Sequence, residues 1–125
     1  MIKNLIFDWS GTLADDLPCV LRTANAMLQH FGQQAMTEQE FRERFRLPFT
    51  EFYDEVLPGV ELEQLQKLYR HHFPEDGEVP ILDHAREMLA YGAATGRRLV
   101  LLSSAPLEHF DRQARVLGVR DFFER

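Results

Sequence analysis

Asn4-Leu5-Ile6-Phe7-Asp8-Trp9-Ser10-Gly11-Thr12-Leu13-Ala14-Asp15 is a short apolar run that ends on a carboxylate and then turns. Its brevity fits a strand better than a helix. Arg98-Leu99-Val100-Leu101-Leu102 repeats the pattern and ends in Ser103-Ser104. Continuous rather than alternating apolarity predicts parallel strands covered on both faces. Open α/β sheets gather their ligands at the C-terminal ends of such strands, where Asp8 and Ser103 fall. Gly11 allows a sharp turn and Thr12 adds a hydroxyl beside it. A carboxylate in this place can serve as a nucleophile and as an oxygen ligand for Mg²⁺. On the bare pattern, a plain Asp/Ser/Gly turn after a strand is the commoner outcome.

Between the two strands the apolar period becomes helical. Leu17, Val20, Leu21, Ala24, Met27, Leu28 and Phe31 form one face of an amphipathic helix that Gly32 ends. Thr37-Glu38-Gln39-Glu40 has the form of a capping box, opening a segment with Phe41 and Phe45 that Pro48 interrupts. A short piece around Phe49 to Tyr53, a Leu57-Pro58-Gly59 turn and a helix through Leu62, Leu65, Leu68, Tyr69 and Phe73 follow. Pro74 to Pro80 reads as a linker. Leu82, Ala85, Met88 and Leu89 mark a helix that Gly96 stops, and Leu107, Phe110, Ala114 and Leu117 mark the last one, stopped near Gly118. The expected organisation is one α/β unit from residues 1–15 and 80–125, with an all-helical insertion over 16–79.

With 125 residues, 45% of them hydrophobic, the chain can bury a core. A net charge of −6 argues against a general nucleic-acid binder. No run reaches the roughly 18 apolar residues of a membrane span, and the start lacks the pattern of a signal peptide. The single cysteine, Cys19, precludes an internal disulfide and fits a reducing, cytoplasmic setting.

Asp8-x-x-Gly11-Thr12-Leu13-x-Asp15 resembles the first motif of the haloacid dehalogenase (HAD) superfamily, whose usual phosphatase form is Asp-x-Asp-Gly-Thr-Leu-x-Asp. Leu99 to Ser104 resembles its second motif, a hydrophobic strand ending in Ser or Thr. The helical tract stands where this superfamily's helical cap belongs. Ala114-Arg115-Val116-Leu117-Gly118-Val119-Arg120-Asp121-Phe122-Phe123 is similar to the segment after motif two in phosphoglycolate-phosphatase-like members. The resemblance spans the whole chain and implies a Rossmann-like parallel core with a cap inserted after the first strand. It implies that Asp8 attacks a phosphoryl group to form an aspartyl-phosphate, with Mg²⁺ held by Asp8 and the backbone carbonyl of Ser10. Trp9, Thr12, Ser103 and Ser104 would line the phosphate site, and the substrate would be a small phosphorylated metabolite.

Two features depart from that pattern. Ser10 stands where the phosphatases place a second Asp as general acid and base, and a hydroxyl donates a proton to a leaving alkoxide less well than a carboxylic acid does. The Lys of the third motif and the acidic residues of the fourth have no counterpart, so the chain resembles the front part of a larger domain, truncated after motif two. Impaired activity is therefore expected, and the alternative is a non-catalytic module with a binding or assembly role. Open sheet edges predict a homo-oligomer or a piece of a longer product. A receiver-like or nucleotide-binding domain fits less well, given the long insertion and the lack of a Gly-x-Gly-x-x-Gly sequence.

Among the remaining residues, Arg46 is the candidate for a substrate carboxylate or phosphate, although Arg42, Arg44 and Arg46 each also suit a solvated helix face. Lys67 lies among Glu61, Glu63, Gln64 and Gln66 and reads as surface. Cys19 reads as a small core residue. His71, His72, His84 and His109 offer no metal-ligand spacing.

Overall fold

The computed structural model describes residues 1–73, 79–103 and 107–123. The elements run β1 (Asn4–Phe7), α1 (Leu17–His30), α2 (Glu38–Arg44), α3 (Phe49–Val56), α4 (Leu62–His72), α5 (Ala85–Ala94), β2 (Arg98–Leu101) and α6 (Leu107–Val116), then a 3₁₀ turn at Arg120–Phe122. By its contacts the chain divides into two compact units, Met1–Leu17 with Asp76–Arg125, and Pro18–Glu75.

In the first unit β1 and β2 pair in parallel, with Leu5 opposite Leu99 and Phe7 opposite Leu101. Parallel strands need a crossover, and the connection from β1 through the insertion and α5 to β2 supplies one. Helix α5 packs on β2. Gly92 allows this approach: a Cβ there would lie 2.8 Å from Leu99 Cδ2 and 3.1 Å from Leu5 Cδ1. The ring of Phe123, past the end of α6, meets those of Phe7 in β1 and Phe110 in α6 edge to face.

The expectation of strands covered on both faces fails. Leu99 is buried, but Ile6 is 67% exposed, Leu102 72% and Val100 36%. Successive strand side chains point to opposite faces, so one face meets α5 and the other, with Ile6 and Val100, stays open. Unbroken apolarity recorded which residues could be covered, and in this chain nothing described covers the second face.

The helix expected from Leu82 instead begins at Ala85. The preceding residues are already engaged: Asp15 N–H donates to Pro80 O, Leu82 N–H donates to Leu13 O, and Ala14 bridges Ile81. This pairing ties the segment after β1 to the approach to α5. Helices α1 and α6 end at the glycines that predict their ends.

In the helical unit, the capping box is present: Thr37 Oγ1 accepts from Glu40 N–H and Glu40 Oε2 accepts from Thr37 N–H. The piece expected around Phe49 to Tyr53 is the two-turn helix α3. The rings of Phe41, Phe45 and Phe52 stack and cross at 4.9–5.6 Å between centroids. Cys19 is buried, as a core residue should be. Among the described residues no helix is long and apolar enough to cross a membrane.

Candidate active site

Asp8 follows the last residue of β1 and is exposed. Leu102 N–H donates to Phe7 O at 2.8 Å, so the ends of the two strands lie side by side. The register places Leu102 beside Asp8, with Ser103 one residue further along the neighbouring strand. Asp8 and Ser103 therefore share the C-terminal edge of the sheet. Ser104 lies outside the described residues.

The backbone then closes a tight loop. The carbonyl of Trp9 accepts from the N–H groups of Thr12, Leu13 and Ala14 at 3.0–3.1 Å, and Gly11 N–H donates to Ala14 O. Gly11 has φ +72°, a region that costs an L side chain strain. The Thr12 hydroxyl lies 3.4 Å from Asp8 Oδ2, a long contact. The loop alternates: Asp8 and Ser10 face outward while Trp9 is buried between them.

Two contacts fix this loop. The indole N–H of Trp9 donates to Gln113 Oε1 at 2.6 Å, and its ring meets Phe110 edge to face at 5.0 Å. The Ser10 hydroxyl donates to Asp16 Oδ2. Burial of Asp16 raises its carboxyl above the usual carboxylate range; the Ser10 bond and its own backbone N–H oppose this, while Asp15 and Asp8 add to it.

Mg²⁺, the ion that the sequence resemblance implies, takes oxygen ligands and keeps several waters. Two oxygens suit it: the exposed Asp8 carboxylate and the Ser10 carbonyl, which accepts no backbone hydrogen bond among the described residues. The described residues contain no group of three or more His, Cys, Asp or Glu able to hold a metal ion. Asp8 and the Ser10 carbonyl by themselves would supply only part of such a shell.

Arg46 belongs to the helical unit and is ion-paired there, Nη1 to Glu55 Oε2 at 2.7 Å and Nε to Glu51 Oε2 at 3.4 Å. Arg44 shares Glu55 at 3.0 Å. Hydrogen bonds from Arg46 and then Arg44 hold the Glu55 carboxyl below its usual range. Lys67 pairs with Glu63 on the surface.

The sequence reading passed over Asp16 and Gln113. Asp16 adjoins the motif but reads as one more acidic loop residue. Gln113 did carry a signal. It falls three residues after Phe110 and one before Ala114, on the apolar stripe of α6, where a polar side chain needs a partner.

Residues 5–125 match the haloacid dehalogenase-like hydrolase family. No curated protein sequence matches significantly. Among solved structures, the chain is similar to a predicted phosphatase from Clostridium acetobutylicum, at 20% identity and TM-score 0.84, over 99% of this chain and 60% of the other. It is also similar to a predicted phosphoglycolate phosphatase from Haemophilus somnus, at 15% identity and TM-score 0.80, over 98% of this chain and 60% of the other. A third is CbbY from Rhodobacter sphaeroides in complex with phosphate, at 20% identity and TM-score 0.79, over 98% of this chain and 61% of the other. The chain thus spans about three-fifths of the length of these structures. At such identities the structures speak for the fold alone, but the family match runs from the middle of β1 through both strands and every helix, and on it the chain belongs to the haloacid dehalogenase-like hydrolases.

Proposed function

We propose that this chain carries the nucleophile half of a phosphoryl-transfer site acting on a small phosphorylated metabolite. The observation that supports it most is the exposed carboxylate of Asp8 at the C-terminal end of a parallel strand, beside the strand that ends at Ser103. An Asp8 oxygen attacks phosphorus, an O–P bond forms to give an aspartyl-phosphate, and the bond to the leaving oxygen breaks. Water then hydrolyses the acyl phosphate and restores the carboxylate. Thr12 and Ser103 hydroxyls, with backbone N–H groups near Trp9 and Ser10, bind phosphate oxygens; Ser104 is assigned with Ser103 on sequence alone. Mg²⁺, held by Asp8 and the Ser10 carbonyl, would offset phosphoryl charge.

The leaving oxygen needs a proton, and Ser10 already donates its own to Asp16. Substrates with leaving groups that need no proton, such as acyl phosphates, are therefore favoured over alkyl phosphates. The phosphate in the CbbY structure supports the substrate class by analogy. The helical unit is read as the cap, and Arg46 as its residue for a substrate anion, a role that requires it to leave Glu51 and Glu55. The acidic chain with one buried cysteine fits a cytoplasmic enzyme that neither binds nucleic acid nor enters membranes.

A second reading, a non-catalytic module with a binding or assembly role, draws on the open apolar sheet face. Incubation with acetyl phosphate and Mg²⁺, followed by peptide mass spectrometry, separates the two. The first reading expects a phosphoryl group on the peptide containing Asp8, lost in Asp8→Asn. A wild-type chain that acquires none, and an Asp8→Asn chain that reacts as well as wild type, would each overturn the nucleophile assignment.

A further inference from the structure

We propose that Gln113 is a positioning residue for Asp8, acting through the indole of Trp9. This rests on the reading of Asp8 as the reactive group. Trp9 is 1% exposed and Gln113 5%, and their hydrogen bond joins residues 104 apart in sequence. Trp9 is also the root of the loop, because its carbonyl gathers the N–H groups of Thr12, Leu13 and Ala14. What holds the indole therefore holds the backbone that presents Asp8 on one side and Ser10 on the other. Gln113 stands on α6, the helix that follows Ser103, so the bond links the loop bearing Asp8 to the element after the second strand.

The residue types support a bond rather than simple filling of space. Leu or Met would fill the position beside Phe110 and Ala114 without an amide to satisfy. A buried amide at that position is unfavourable unless it is paired, and the indole N–H it meets would otherwise be a buried donor without an acceptor. Each group has a reason to be there only with the other present. The edge-to-face contact of Trp9 with Phe110 sets the ring plane, and the hydrogen bond then fixes how deeply the ring inserts.

The chain has one tryptophan, so one indole N–H signal reports the bond in a ¹H–¹⁵N spectrum. In the wild type that proton should lie downfield and exchange slowly with water. Gln113→Met should move it upfield and make the backbone amides of residues 11–14 exchange about tenfold faster, the scale of one lost buried hydrogen bond. Amides within α5 should keep their native-state rates. Gln113→Glu, which retains an acceptor oxygen, should restore slow exchange in the loop. Trp9→Phe should accelerate the same amides, with no further gain when Gln113→Met is added, and it decides the question if Gln113→Met does not fold. Loop amides at the wild-type rate in Gln113→Met, or in Trp9→Phe where only that variant folds, would overturn the proposal, as would additive effects of the two substitutions. These signals do not depend on turnover. A chain that forms no adduct on Asp8 yet shows this pattern would remove the catalytic reading and leave the link between Gln113 and the loop intact.

Discussion

The hydroxyl of Ser10 donates to the carboxylate of Asp16, so the outward-facing position two residues after Asp8 is tied to a buried acid. That acid is held above its usual range mainly by burial, and Ser10 is its main relief. The pair is one hydroxyl and one carboxylate in contact, and the contact itself does not require either residue to be in its present place.

Exchanging the partners should therefore be tolerated better than changing one. Ser10→Ala removes the donor to a buried carboxylate and should cost about 1–3 kcal/mol. Ser10→Asp sets two carboxylates together and should also destabilise. The double variant Ser10→Asp with Asp16→Ser restores one hydroxyl and one carboxylate, and should regain most of the loss in urea unfolding. If the site is otherwise competent, it should also raise hydrolysis of alkyl phosphates, because a carboxylic acid then stands at position 10. A double variant no more stable than Ser10→Asp alone would show that the contact is not what holds Asp16.

Gly92 faces two opposing effects. Replacing a helical glycine such as this one, in the last turn of α5, by alanine gains at most about 1 kcal/mol of helix propensity. The new methyl group would meet Leu99 at 2.8 Å, and Leu99, in β2, is almost wholly buried beneath α5. Overpacking of this kind costs about 1–3 kcal/mol, so Gly92→Ala should destabilise on balance. Adding Leu99→Val, which trims the clashing group, should recover part of the loss. A Gly92→Ala chain more stable than wild type would mean that Leu99 has room to move.

The two faces of the sheet should respond differently to substitution. Leu99→Ala removes a buried side chain and should cost about 2–5 kcal/mol. Ile6→Thr lies on the open face, keeps a β-branched side chain, and should change stability by no more than about 0.5 kcal/mol. It should also reduce binding of an apolar dye and any self-association seen by light scattering, since Ile6, Val100 and Leu102 form the exposed apolar surface there. Unchanged dye binding would place the adhesive surface elsewhere.

Where the fold rests on local rules, the sequence displays it. The capping box at Thr37 and Glu40, the stops at Gly32 and Gly118, and the two apolar runs can each be read within a few residues. What the sequence hides is non-local. Leu82 reads as the start of a helix because it has the right period, yet its N–H is taken by Leu13 O, and the Pro80 carbonyl just before it by Asp15 N–H, far away in the chain. Ile6 and Val100 read as buried because apolarity records what a residue tolerates, not whether anything lies against it. At the candidate site, the Asp8 to Asp15 loop stands out by its residue types, whereas the bond from Trp9 to Gln113 crosses 104 positions and leaves only one polar residue on an apolar helix stripe as its trace.

The helical unit should lose stability in alkali through Tyr53. Burial pushes its phenol up to about 12, against a usual value near 10. A group whose folded value is raised contributes stability that is complete below the unfolded value and is lost as pH rises through the folded one. Between pH 10 and 12 the unfolded chain therefore releases a proton that the folded chain retains, and the folded state weakens by about 2–3 kcal/mol in total. Tyr53→Phe has no proton to lose. Its unfolding free energy relative to wild type should be constant below about pH 9 and should rise in its favour by that amount toward pH 12. Arginine, lysine and the other tyrosines titrate in both chains and cancel in the difference. Urea midpoints measured for the two chains across this range would test it, and a difference that stays flat up to pH 12 would show that the phenol ionises as readily folded as unfolded.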